Sequence, residues 1–71
     1  MPSKYPILKP AEIIRKLKSK GFVYVSQKGS HAKYSNGLYT YIIPMHDEVQ
    51  KGTLRSILEQ AHVDLEEFMK L

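Results

Sequence analysis

The tetrapeptide Lys28-Gly29-Ser30-His31 gathers residue types that can break a phosphodiester bond by proton transfer. Cleaving RNA without a metal needs a base for the 2′-hydroxyl proton, positive charge near the phosphorane and an acid for the leaving 5′-oxygen. An imidazole serves as base or acid because its unperturbed pKa is about 6.5. Nearby lysines disfavour its charged form, whereas a bound phosphate favours it. His31 is therefore the catalytic candidate. Lys28 and Lys33 would stabilise phosphate charge, Ser30 offers a hydroxyl, and Gly29 permits a turn and close approach of the backbone. The same residues also read as a solvated turn leading into an exposed strand, and spacing alone does not choose between the two.

Other groups are secondary. His46, in Pro44-Met45-His46, would serve as an acid or a substrate contact, or else bond backbone within its loop. Asp47 and Glu48 follow it, but consecutive residues of a polar loop rarely converge on one ion, so no metal site is expected. Lys51-Gly52-Thr53 opens a helical pattern whose unpaired amides attract phosphate, with Arg55 one turn inside. Tyr24, Tyr34, Tyr39 and Tyr41 are able to stack bases, although Tyr34 and Tyr41 suit a core. Lys16, Lys18 and Lys20 form a basic helix face whose default state is solvated.

The elements that must position these groups follow from periodicity. Ile13, Ile14 and Leu17 at helical spacing, with Pro10 in the first turn and Gly21 able to end it, predict a helix over 10–20. The β-branched and aromatic runs 22–26 and 38–43 predict strands. Asn36-Gly37 suits a type I′ turn, which pairs 31–35 with 38–43 and sets Tyr34 against Tyr39, Ala32 against Tyr41 and His31 against Ile42. Ala32, Tyr34, Tyr41 and Ile43 then face the core, while His31, Lys33 and Thr40 face water. Leu54, Ile57, Leu58 and Ala61 predict a second helix with Thr53 at its cap or in its first turn. Asp64 and Glu67 have capping-box spacing before Leu65, Phe68 and Met69, which predicts a short terminal helix. The order is α-β-β-β-α with a small extra helix, an α+β fold with a three-stranded antiparallel sheet and both main helices on one face.

At 71 residues the chain makes a single domain over 1–71, with 1–9 as an N-terminal extension. It contains no cysteine, so neither a disulfide nor a thiolate site supports the core, which suits a reducing cytoplasm. No apolar run is long enough to span a membrane. The net charge of +4 is unevenly placed. Lys4, Lys9, Arg15, Lys16, Lys18, Lys20, Lys28 and Lys33 precede Tyr41 with Glu12 as the one acid among them, so this half suits a polyanion. Glu59, Asp64, Glu66 and Glu67 make the far end acidic.

Gly21-Phe22, Lys28-Gly29-Ser30-His31, Ile43-Pro44-Met45-His46 and Lys51-Gly52-Thr53-Leu54-Arg55-Ser56-Ile57-Leu58 occur in this order. Together they resemble the HicA-type (YcfA-like) mRNA interferases, toxins of bacterial toxin–antitoxin pairs. The resemblance implies the double-stranded-RNA-binding fold that the element order also suggests. It further implies a cofactor-independent toxin endoribonuclease acting on mRNA, His31 as the catalytic histidine, and a HicB-type antitoxin that covers the site. Two positions depart from the pattern. Ala32 stands where many members carry a second histidine, and His62 where a glycine usually ends the helix. Two other readings stay open, a noncatalytic RNA-binding module of the same fold and a protein-interaction domain using the Lys16, Lys18 and Lys20 face.

Overall fold

The computed structural model describes residues 5–71, so Lys4 lies outside the described residues. Six elements follow one another: α1 (Pro10–Lys18), β1 (Val23–Lys28), β2 (His31–Ser35), β3 (Thr40–Pro44), α2 (Lys51–Ala61) and α3 (Leu65–Met69). The strands form one antiparallel sheet in the order β1-β2-β3, with α1 and α2 on one face. This is the α+β, α-β-β-β-α arrangement that the periodicities predict.

Each helix is built from local signals. In α1, Pro10 occupies the first turn and the Glu12 carboxylate accepts a hydrogen bond from the Lys9 N–H at 3.1 Å. Ile13 and Leu17 on its inner side are fully buried. The helix stops at Lys18, two residues short of the predicted end, and Gly21 turns the chain at φ +90°. Helix α2 begins at Lys51, which puts Thr53 in its first turn, and sends Leu54, Ile57, Leu58 and Ala61 into the core. His62 ends it in the left-handed conformation at φ 59°, and its ring stacks on Tyr39 with centroids 3.8 Å apart. Asp64 caps α3 by accepting from the Glu67 N–H at 2.9 Å. The reciprocal half of that capping box is replaced, since the Glu67 carboxylate pairs with Lys20 instead.

Two further cations of the basic α1 face fare differently. The Lys16 ammonium lies 5.3 Å from the centre of the buried Phe68 ring and donates to the Leu71 carbonyl, whereas Lys18 is exposed. The segment before α1 joins the body of the fold, because the Val49 N–H donates to the Leu8 carbonyl at 2.7 Å and Tyr5 and Leu8 pack on the core. No helix among the described residues is long and apolar enough to cross a membrane.

The β2–β3 register corrects the expected hairpin. Tyr34 pairs with Tyr41, Ala32 with Ile43 and His31 with Pro44, each two positions from the predicted partner. A type I′ turn needs positive φ at both central residues, and here Gly37 has it at 91° while Asn36 does not. The Asn36 side chain organises a longer loop instead. Its Oδ1 accepts from the Leu38 and Tyr39 N–H groups at 2.9 and 2.8 Å, and its Nδ2 donates to the Lys20 carbonyl. A shift of two residues preserves the faces because strand side chains alternate with period two. Ala32, Tyr41 and Ile43 are accordingly buried, with Tyr34 partly buried beside them. Phe22 and Tyr34 pack on Tyr41, edge-on and stacked respectively.

Candidate active site on the open face of the sheet

Position 28 is delivered by an irregularity. Val23 pairs with Ser35 and Tyr24 with Tyr34, but Ser26 then pairs with Lys33, which leaves Val25 as an extra, bulged residue. A bulge re-aims every side chain that follows it. Without it, regular pairing from Tyr24 would set Gln27 opposite His31. With it, Lys28 pairs with His31 across the two-residue turn Gly29-Ser30. The backbone at Gly29 has φ +60°, and the Gln27 side chain steadies the turn by donating to the Gly29 carbonyl at 3.0 Å.

Paired residues of adjacent strands project on the same side, so the face away from the helices carries three rows. Lys28, His31 and Pro44 form the first, Ser26, Lys33 and Ile42 the second, and Val23, Ser35 and Thr40 the third. Successive rows stand about 7 Å apart along a strand. Lys28, His31 and Lys33 are all exposed, and the three strands contain no aspartate or glutamate. An anion approaching this face meets two lysines and an imidazole with no carboxylate from the strands to oppose it. The face also lacks aromatic rings, because Tyr24, Tyr34 and Tyr41 lie on the helix side in successive ring contacts. The tyrosines of the strands therefore offer no stacking surface on this face.

The remaining predicted groups separate into near and far. The Met45 N–H donates to the Ser30 carbonyl, which lays the loop after β3 along the Gly29-Ser30 turn. His46 follows directly, exposed, and its ring makes no hydrogen bond among the described residues. It lines an open hollow with Lys9, Pro10, Asp47 and Glu48. Lys51 starts α2 beside Gln50, which lines that same hollow. Arg55 is drawn elsewhere, to Glu59 one turn on at 3.3 Å, as an exposed surface pair. No group of three potential metal-ligating side chains occurs among the described residues.

The faces bear on two further positions. Ala32 is fully buried on the helix side, so a second histidine there would point away from His31 and into the core. Ser26 reaches the open face beside Lys33 only through the bulge, and nothing in the residue pattern of β1 marks it for that place.

Residues 10–63 match the family described as HicA toxin of bacterial toxin-antitoxin, a span that runs from α1 through the end of α2. Among curated proteins nothing matches the chain.

Proposed function

Because the chain belongs to the HicA toxin family of bacterial toxin–antitoxin systems, we propose that it is an endoribonuclease that cleaves cytoplasmic single-stranded mRNA at His31 and is held inactive by a HicB-type antitoxin. The observation that most supports this reading is the pairing of Lys28 with His31 on an exposed face whose strands hold no acid.

In this scheme His31 removes the proton from a 2′-hydroxyl and the freed oxygen attacks the adjacent phosphorus. The bond from phosphorus to the 5′-oxygen then breaks, and the departing oxygen takes up a proton. The products are a 2′,3′-cyclic phosphate and a 5′-hydroxyl end. Lys28 and Lys33 offset the charge that develops on the phosphorane oxygens, Ser30 bonds phosphate, and Gly29 lets the turn approach the backbone of the strand. His46, on the loop bonded to that turn, is the candidate donor to the leaving oxygen, with His31 filling both roles in turn as the alternative. No cofactor enters this sequence. Lys51 and Arg55 are secondary candidates for phosphate contact, with Arg55 paired to Glu59 in the free chain.

The test is cleavage of an end-labelled single-stranded mRNA in the presence of a chelator by the chain and by His31→Ala. General acid–base catalysis is worth roughly 10²- to 10⁴-fold, so the variant should lose activity on that scale. Because His31 is exposed, its circular dichroism should match the parent. Equal cleavage by both proteins would remove His31 from the mechanism. RNA binding with a log-salt dependence but no cleavage by either would assign the fold to noncatalytic RNA binding.

A further inference from the structure

The two outer strands of the sheet end differently. On β3 the Ile42 N–H donates to Oε1 of Gln60 at 3.1 Å, so α2 occupies part of that edge. On β1 no strand pairs with the outer edge among the described residues. That open edge carries Val23, Tyr24 and Val25, which are 59, 58 and 50% exposed. Beneath it, Ile14, Lys18, Phe22, Tyr24 and Tyr34 line a mostly apolar hollow between α1 and β1. An edge with unpaired backbone groups and three consecutive exposed apolar side chains is a template for an added strand.

The surroundings choose among occupants. Lys18 lines the hollow, Lys28 ends the strand, and β1 has no acid. A second copy pairing edge to edge would bring cations to a surface that offers no carboxylate from its own strand. A nucleic acid would find one exposed ring at Tyr24 but no cation along the strand until Lys28, so the run Val23-Tyr24-Val25 suits an apolar segment better than a phosphate backbone. The bulge at Val25 adds twist, which keeps flat strands from joining indiscriminately. An extended apolar segment bearing carboxylates fits all of these features.

We propose that β1 is the docking edge for the antitoxin, which adds such a segment as a fourth strand and sets a carboxylate against Lys28. The proposal rests on the antitoxin pairing and is independent of the chemistry at His31. Its consequence is local, because Lys28 pairs with His31 across the turn. A strand laid along this edge ends at the hairpin and takes up the charge that a phosphate would use.

The experiment uses the purified chain and its proposed HicB-type antitoxin. Hydrogen exchange should slow across residues 23–27 in the complex. The double variant Val23→Lys, Val25→Lys should bind the antitoxin at least about tenfold more weakly while keeping the parent's circular dichroism. Leu38→Lys, which alters a residue 81% exposed in the β2–β3 loop, should bind as the parent does. Unchanged exchange at β1 in a formed complex, or parental affinity in the double variant, overturns the proposal. Failure of the parent chain to bind that antitoxin overturns it together with the antitoxin half of the functional reading. RNA cleavage by the free chain, measured separately, reports on His31 alone.

Discussion

Replacing glycine by alanine at positions 29 and 52 should move stability in opposite directions. At Gly29 a methyl group would meet no atom within 4 Å, so crowding contributes nothing. The backbone, however, stands at φ +60°, where an L side chain costs roughly 1–2 kcal/mol. At Gly52 the methyl group also meets nothing within 4 Å, but the residue lies in the first turn of α2 with no positive φ. There alanine restricts the unfolded chain and favours helix, with an expected gain of about 0.4–1 kcal/mol. Urea unfolding monitored by circular dichroism measures both changes as midpoint shifts at constant slope. For a domain of this size each kcal/mol moves the thermal midpoint by about 4–8 °C. A D-alanine at position 29, introduced by total synthesis, tolerates positive φ and should recover the parent's stability. Gly29→Ala as stable as the parent, or D-alanine as damaging as its mirror image, would refute the turn geometry on which the Lys28–His31 pairing depends.

Two further substitutions probe the packing beneath the site. The Tyr41 hydroxyl is buried and has no hydrogen-bond partner among the described residues, and leaving such a group unpaired costs about 1–3 kcal/mol. Tyr41→Phe should therefore stabilise the fold by about 1 kcal/mol in urea unfolding. Burial, reinforced by Tyr34, also raises the Tyr41 pKa well above its ordinary value. A raised pKa means that the folded state keeps a proton which the unfolded state releases. The parent's stability should thus fall as pH rises above about 10, and Tyr41→Phe should lack that part of the loss. At position 62, alanine forfeits the stack on Tyr39, worth about 0.5–1.5 kcal/mol, and should destabilise by that amount. His62→Gly forfeits the same stack but relieves the left-handed strain by a similar amount, so its midpoint should stay near the parent's.

How much was legible in the sequence divides along physical lines. The helices were legible because Ile13 and Leu17, and Leu54, Ile57 and Leu58, repeat at the helical period and are the residues found buried. The core face of the hairpin was legible as well, since Ala32, Tyr41 and Ile43 share one parity. Its register was not. Asn36-Gly37 has the composition of a two-residue turn, but the Asn36 amide has a second use in binding the Lys20 carbonyl, a contact 16 residues away that local propensity does not encode. The bulge at Val25 was likewise invisible, because Val23-Tyr24-Val25-Ser26 reads as an ordinary alternating strand whichever residue is the extra one. The chemical residues could be named without it, whereas the partner of His31 could not. At position 32 parity was enough, because Ala32 shares the core face with Tyr41 and Ile43 and is fully buried.

The sheet serves three surfaces with one set of strands, and that economy bears on how the site tolerates change. Tyr41, Ala32 and Ile43 bind the helices, so their side chains hold the fold together. Lys28, His31 and Lys33 project the other way and are exposed, so exchanging them should alter charge and proton transfer while changing stability by less than about 0.5 kcal/mol. A chain that buries so little surface has few contacts to spare, and keeping reactive groups off the core face lets activity vary without unfolding. The exception is the turn. At Gly29 the backbone conformation decides both whether β1 and β2 close and which residue stands beside His31, so this is where a change made for function and a change in stability cannot be separated.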